Sequence, residues 1–370
     1  MHVASGGFSG ATQVALDLTM GGQAHHDTIL VLRAKRRTPQ DRVQRLRQQG
    51  VPLAMLPGWS HAATVWALRR LCHEWKPDIV VGHGFPEHLL ARWAACWAGV
   101  PHRVQVEHNM RERYTAFKRW QVSRLAPHTD VFVGVSDAVC SVLRAMGLPT
   151  ERVHTIRNGT QLDAYASSEE QEFAQREPAI LMAARFGAQK DHETLIRSLV
   201  PLAERHGLRP MLRLAGGGST RHRERAQALV ASLGLQQQVE FLGHRSDVPQ
   251  LLMQHQVAAL STHYEGLPLS LAEALAAGCA VLGSDVAAVR ETLGDGQWGA
   301  LPAAGNPDAW ADALAAVFQN PESATERAVR ARAHAREQLT RVRMVQDYAA
   351  LFERLAAGRR LAQPPQERAP

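Results

Sequence analysis

Short continuous apolar runs alternate with amphipathic stretches along the whole chain, and this rhythm restarts once. In the first series the runs are Thr28–Leu32, Ile79–Gly82, Arg103–Glu107, Val131–Val135 and Val153–Ile156, with helical patterns such as Thr64–Trp75 and Glu87–Ala98 between them. In the second they are Ile180–Ala183, Met211–Ala215, Val239–Leu242, Val257–Leu260 and Ala280–Gly283, each followed by a helical stretch. A strand that is apolar along its whole length must be covered on both faces. Helices between successive strands supply that cover when the strands run parallel. The expected class is therefore α/β, with two doubly wound domains in succession and ligands at the carboxyl ends of their strands.

The division falls near residues 160–178. Asn158-Gly159 reads as a turn, and the polar stretch Ser167 to Glu172 as a linker ahead of Pro178. This gives domains of residues 1–163 and 164–341, with a last helix at about 342–358 packing back on the first and a tail, 361–370, expected to be disordered.

The apolar fraction of 45% and charged fraction of 21% are those of a globular protein. No apolar run approaches the roughly 20 residues that a bilayer-spanning helix needs. Met1 to Gly7 has neither the basic start nor the apolar stretch of a signal peptide, so the cytoplasm is the expected location. Cys72, Cys96, Cys140 and Cys279 form no CxxC pair, which argues against a zinc site or a disulfide framework. Residues 1–165 carry 20 Lys and Arg against 12 Asp and Glu, or +8, while residues 166–370 carry 22 against 23, or −1; together these make the +7 of the chain. The excess sits in Arg33-Ala34-Lys35-Arg36-Arg37 and in the stretch from Arg111 to Arg124. Such a face suits an anionic membrane surface or a phosphorylated substrate, or is simply solvated. Aromatic residues are not interleaved with the arginines as a strand-binding platform requires, so no nucleic-acid partner is expected.

The sharpest motif runs from Tyr264 to Gly278 and holds two glutamates eight apart, Glu265 and Glu273. Gly266 and Pro268 do not fit a helix interior, and Pro268 suits a helix start, so the helix is expected to run from Leu269 to Ala277. Glu265 then lies in a loop with Gly266 and Leu267, ahead of free backbone N–H groups at Leu269, Ser270 and Leu271. Such groups and the helix dipole bind a diphosphate. Glu273, a turn further in, can accept from ribose hydroxyls. The alternative is two solvated glutamates on a surface helix, but Leu267, Leu269, Leu271 and Leu275 read as buried.

A second motif, Ala183-Ala184-Arg185-Phe186-Gly187-Ala188-Gln189-Lys190-Asp191-His192, follows a strand and precedes a helix. The cations Arg185 and Lys190 suit the charges of a departing diphosphate, or belong to a solvated basic turn with Asp191 as a helix cap. Gly6-Gly7-Phe8-Ser9-Gly10 and Gly216-Gly217-Gly218 follow strands in the two halves, where glycine lets backbone approach a ligand. Neither run matches the dinucleotide fingerprint GxGxxG.

Taken in this order, these residues resemble family 4 of the retaining glycosyltransferases. The resemblance covers nearly the whole chain and implies the GT-B fold, two Rossmann-like doubly wound domains facing across a cleft. Glu265 to Glu273 matches the family's E-x7-E, Arg185 and Lys190 its R-x4-K loop, Gly6-Gly7 its N-terminal glycine loop, and Asn158-Gly159 its turn before the linker. Val135-Ser136-Asp137 matches a late strand end of the first domain. Phe241-Leu242-Gly243 with Asp247-Val248 matches the segment whose backbone holds the nucleobase. By resemblance, Arg185 and Lys190 neutralise the donor diphosphate, Glu273 holds the ribose, and Glu265 and His108 face the donor sugar. The sequence departs from the pattern at Ala287-Ala288, where the family commonly has glycine, and in its short first strand, Met1–Ala4, which raises a native start upstream of Met1.

The resemblance implies a UDP- or GDP-sugar donor, a glycan or lipid-linked acceptor and front-face transfer with retention. The setting would be bacterial cell-surface polysaccharide or glycolipid synthesis. No cofactor or metal is expected, since no DxD-like acidic pair is present. Closure of the domains over the donor is expected about a hinge near 160–178. The basic first half adds peripheral contact with the cytoplasmic face of an anionic membrane. The rivals are a nucleotide-sugar epimerase of the same fold, a far longer cofactor-dependent phosphorylase, and a non-catalytic nucleotide-sugar-binding subunit.

Overall fold

The computed structural model describes residues 1–110, 115–169 and 172–358. The tail 361–370, Arg111 and Arg113 of the second basic stretch, and Glu170-Gln171 of the linker lie outside the described residues. The chain forms two compact units, one of Met1–Gly159 with the segment from Arg341 onward, the other of Thr160–Thr340. The division follows Gly159 directly, a few residues before the 163/164 boundary read from sequence.

The first unit holds seven parallel strands: β1 (His2–Ser5), β2 (Leu30–Arg33), β3 (Leu53–Leu56), β4 (Ile79–His83), β5 (His102–Glu107), β6 (Val131–Gly134) and β7 (Val153–Thr155). Their order is β3-β2-β1-β4-β5-β6-β7. The second unit holds β8 (Glu177–Ala183), β9 (Leu212–Ala215), β10 (Val239–Gly243), β11 (His255–Leu260) and β12 (Ala280–Gly283), in the order β10-β9-β8-β11-β12. All pairs are parallel, as the apolar runs required. Strand order reverses between β1 and β4 and between β8 and β11, which makes a crevice at the carboxyl ends of each of these pairs. β3 is absent from the sequence reading. It is an edge strand of four residues, three of them half-buried, and its Ala54 and Met55 have little strand preference.

The final helix, Arg341–Ala356, packs on the helix Gly10–Gly22. Gly21 leaves room there for Val345, whose Cγ2 would lie 2.7 Å from a β-carbon at that position. Tyr348 is buried, and Arg341 lies 3.8 Å from Asp17. In the second unit the helix Pro307–Gln319 packs on the helix His192–His206 and brings Trp310 into the core with no exposed surface. Its loss should leave a large void. Trp310→Ala is expected to destabilise the second unit by about 3–5 kcal/mol, read as a lower urea midpoint in circular dichroism; an unchanged midpoint would contradict this packing.

Candidate functional site

In the second unit, β8, β9, β10 and β11 deliver the motif residues to one edge. The loop after β8 carries Arg185 and is stitched to its neighbours by backbone: Ala184 N–H donates to Ala215 O, Phe186 N–H to Gly217 O, and Gly216 N–H to Gly243 O, at 2.7–2.9 Å. Gly216 is required by this close approach, since a β-carbon there would lie 2.0 Å from Ala184 O. Beneath the loop, Phe186 is buried and stacked on His192 at 4.1 Å and on Phe241 at 6.0 Å. Burial pushes the His192 imidazolium down to about 4, so the ring stacks in its neutral form. Arg185 itself is exposed and makes no ion pair among the described residues.

Lys190 takes a different position. Its Nζ lies 2.5 Å from Glu265 Oε1. The same oxygen accepts from Thr262 Oγ at 2.7 Å, and Glu265 Oε2 accepts from Gln189 Nε2 at 3.0 Å. Glu265 is thus a buried carboxylate held by three donors. The backbone fixes the arrangement: Asp191 N–H donates to Ser261 O and His263 N–H to Gln189 O, so the loop after β8 pairs with the loop after β11 at the switch point. Asp191 caps the following helix, accepting from Thr194 N–H at 3.2 Å.

The helix Leu269–Ala276 begins after Pro268 as expected from sequence. Its first N–H groups are not all free: Leu269 N–H donates to Leu267 O at 3.1 Å and Leu271 N–H to Pro268 O at 2.9 Å. These two bonds correct the expectation of three open donors. Of the three, Ser270 N–H alone is left without an acceptor among the described residues. Glu273 accepts from Thr160 Oγ at 3.3 Å; burial raises its pKa and that bond offsets part of the rise. In β10, Phe241 pairs with Leu214 and Gly243 with Ala215, which leaves Leu242 as the extra residue of a bulge. Among the described residues, no three His, Cys, Asp or Glu side chains converge as a metal site.

In the first unit, Gly6 and Gly7 join β1 to the helix Gly10–Gly22. Gly6 N–H donates to Arg33 O at 2.8 Å, and a β-carbon on Gly6 would meet that oxygen at 2.7 Å. His108 follows β5, half-buried, and ends a row of three imidazoles: His2 Nδ1 lies 3.1 Å from His83 Nε2, and His83 Nδ1 lies 3.4 Å from His108 Nε2. Burial lowers His108 to about 3 and holds His2 and His83 well below the usual histidine range. All three are neutral at pH 7, each able to donate from one nitrogen and accept at the other.

The motif residues therefore fall into two groups. Arg185, Lys190, Gly216, Leu242, Gly243, Glu265, Gly266, Leu267, Leu269, Ser270, Leu271 and Glu273 belong to the carboxyl edge of the second sheet. Gly6, Gly7 and His108 belong to that of the first. Sequence reasoning gave no role to Gln189, Thr262, Thr160, Phe186 or His83. Gln189 and Phe186 lie inside the quoted Arg185–Lys190 loop, and Thr160 directly follows Asn158-Gly159, whereas no spacing marks Thr262 or His83.

Comparison with known proteins decides the family. Residues 8–164 match Glycosyltransferase Family 4, and residues 165–338 match Glycosyl transferases group 1. The chain belongs to these group 1 glycosyltransferases. It is 26% identical over 282 residues to the Bacillus subtilis protein EpsD, spanning 69% of this chain and 71% of that one. It is 24% identical over 294 residues to the Campylobacter jejuni N,N'-diacetylbacillosaminyl-diphospho-undecaprenol alpha-1,3-N-acetylgalactosaminyltransferase, spanning 70% and 76%. Among solved structures, Anabaena HepE in complex with UDP superposes with a TM-score of 0.82 at 19% identity, covering 95% of this chain and 98% of that one. The glycosyltransferase thus has two parallel-sheet α/β domains of the GT-B fold. Among its described residues no helix is long and apolar enough to cross a membrane.

The neutral imidazole row has a measurable consequence for the glycosyltransferase. An unfolded chain takes up these protons below about pH 6.5 while the folded one does not, so stability is full above that pH and is lost as pH falls toward the folded pKa values. Each imidazole contributes a slope of up to about 1.4 kcal/mol per pH unit. Between pH 7 and 4.5 the first unit's urea midpoint is expected to fall, and less steeply in His83→Asn. Equal slopes in the two proteins would count against the neutral row.

Proposed function

We propose that the enzyme transfers a sugar from a nucleotide-diphosphate-sugar to an acceptor hydroxyl with retention of anomeric configuration, in the synthesis of a cell-surface polysaccharide or glycolipid. The observation that carries this reading is the Lys190–Glu265 pair at the β8–β11 switch point, on the same sheet edge as the exposed Arg185, the bulged Leu242 and the helix beginning at Leu269. As the anomeric carbon–oxygen bond to the β-phosphate breaks, negative charge gathers on the diphosphate. Arg185 offers a planar fork of donors and Lys190 a second cation. Gln189 and Thr262 keep the Glu265 carboxylate in place, and Glu265 in turn keeps the Lys190 ammonium at the switch point. The new bond forms from the acceptor oxygen on the face that the diphosphate leaves, and the acceptor proton passes to a β-phosphate oxygen. In this scheme the charges on the leaving group are balanced by protein groups, with no metal.

The bulge at Leu242 ends β10 beside the loop after β9, where backbone can read a nucleobase edge, and Glu273 with Thr160 suits ribose hydroxyls. HepE complexes hold UDP with glucose, which favours a UDP-sugar among the candidate donors. The Campylobacter relative acts on an undecaprenol-linked acceptor, which favours lipid-linked acceptors and a place at the cytoplasmic face of a membrane.

UDP, GDP and ADP at about 100 times Kd would each stabilise a protein that binds them by about 2.7 kcal/mol. One of the three is expected to raise the Tm, and Arg185→Ala is expected to abolish that rise. No rise with any of them would overturn the donor reading. Glu265→Gln keeps an acceptor for Thr262 but removes the charge that holds Lys190. It should lower kcat by roughly 10²–10³-fold while nucleotide affinity changes little, as measured by nucleotide release with a lipid extract as acceptor. Unchanged kcat would remove Glu265 from the mechanism.

A further inference from the structure

The first unit carries an apolar groove that none of the motifs above uses. It begins at Phe85, directly after Gly84, whose β-carbon position lies 4.0 Å from the His108 ring. From there it runs between the helices His61–Trp75, Glu87–Trp97 and Ala116–Leu125, walled chiefly by Trp66, Leu89, Trp93, Trp97 and Phe117. Its volume is about 730 Å³, within the range of about 300–1,000 Å³ typical of small-molecule sites. The helix Glu87–Trp97 alone gives it a wall of about 15 Å.

Two properties separate this groove from ordinary surface. The first is aromatic exposure: Trp66, Trp97 and Phe117 are 65%, 58% and 64% exposed, and the five exposed tryptophans of the chain all belong to the first unit. A contiguous apolar patch of this kind marks a binding surface. The second is charge. The lining includes Arg69 and Lys118 and no carboxylate, and Lys118 Nζ sits 4.4 Å over the Phe85 ring at the His108 end. Glu87, which starts one of the walls, is already held by Arg33 at 2.8 Å and Lys35 at 3.2 Å. Burial, then the charge of Arg33, push the His61 imidazolium down; Lys118 and Lys35 add to this and Glu87 opposes it. An apolar trough with a cationic end fits one hydrocarbon chain that terminates in a phosphate. A flat bilayer surface would meet the exposed rings alone, whereas this groove also has buried lining at Val65, Leu89 and Leu90.

We infer that this groove holds the hydrocarbon chain of a lipid-linked acceptor, with the lipid's phosphate at Lys118 and its sugar-accepting end toward His108. This rests on the glycosyltransferase reading above and adds to it the surface that selects a lipid-linked acceptor.

The test is isothermal titration of the full chain with dodecyl phosphate below its micellar concentration, with inorganic phosphate and phosphatidylglycerol vesicles as separate arms and UDP titrated in parallel. Saturable binding of dodecyl phosphate and none of inorganic phosphate is expected. The double variant Trp66→Ser/Trp97→Ser should weaken dodecyl phosphate roughly tenfold or more, and Lys118→Gln several-fold, with UDP affinity unchanged in both. These positions are exposed or half-buried, and an unchanged urea midpoint in circular dichroism reports that the variants are folded, while unchanged UDP affinity reports that the second unit is undisturbed. Equal affinity in the variants would overturn the inference, as would binding to vesicles without binding to the monomeric amphiphile. So would a dimer that is lost in the double variant, which would make this face a contact between copies. If UDP binds and dodecyl phosphate does not, the groove assignment alone falls; if UDP fails to bind the unsubstituted protein, the donor reading falls instead.

Discussion

Two parallel strands cannot be joined by a hairpin, and both sheets of this protein consist only of parallel pairs. Every connection must therefore cross a face of the sheet as a helix, and the loops that open those helices gather at the carboxyl edge. The chemistry of the chain follows from this constraint. Residues from the loops after β8, β9, β10 and β11 meet because no other edge is open to them. Backbone bonds between those loops then turn four separate turns into one surface. The stacked Phe186 supports that surface from below, so the position of Arg185 depends on a ring that never needs to touch a ligand.

Electrostatics divides the two units. In the second, a buried carboxylate holds a half-buried ammonium, an arrangement whose desolvation cost offsets much of its attraction. Its value lies in fixed geometry: a lysine held at one point by Glu265 loses little freedom when a diphosphate arrives. In the first unit, three imidazoles are kept neutral by burial in place of being paired with carboxylates. A neutral row can pass a hydrogen-bond preference from ring to ring, so the tautomer at His108 is tied to those of His83 and His2.

Much of the fold was legible because both faces of most strands are buried, which writes them as unbroken apolar runs. β3 escaped because it is a short edge strand of weak strand formers. The start of the helix at Leu269 was visible from Pro268, whose fixed backbone suits a helix entrance. The occupancy of its N–H groups was not, since Leu267 and Pro268 carbonyls compete for them through a local turn that no residue type announces. The Lys190–Glu265 pair joins positions 75 apart, and the imidazole row joins positions 81 and 25 apart. Each partner carries its chemistry in the sequence, but the pairing is a property of strand order. The exposed tryptophans were hidden for another reason: in the helical pattern of Thr64–Trp75, Trp66 reads as another apolar residue, and only packing shows that it has no neighbour to cover it.

The last helix returns to the first unit after the chain has completed the second, so Thr160–Thr340 is an insertion within a discontinuous partner. Thr160 N–H donates to Leu339 O, which sets the outgoing and returning segments side by side. During synthesis the ribosome therefore delivers a whole second unit before the first can be finished. Until Arg341–Ala356 emerges, the surface around Gly21 that Val345 later covers stays bare and apolar. The nascent chain must carry that unfinished half through about 180 further residues, at about 5–20 residues per second. Chaperones that shield apolar surface would have their longest opportunity on this half, although it is the first to be made.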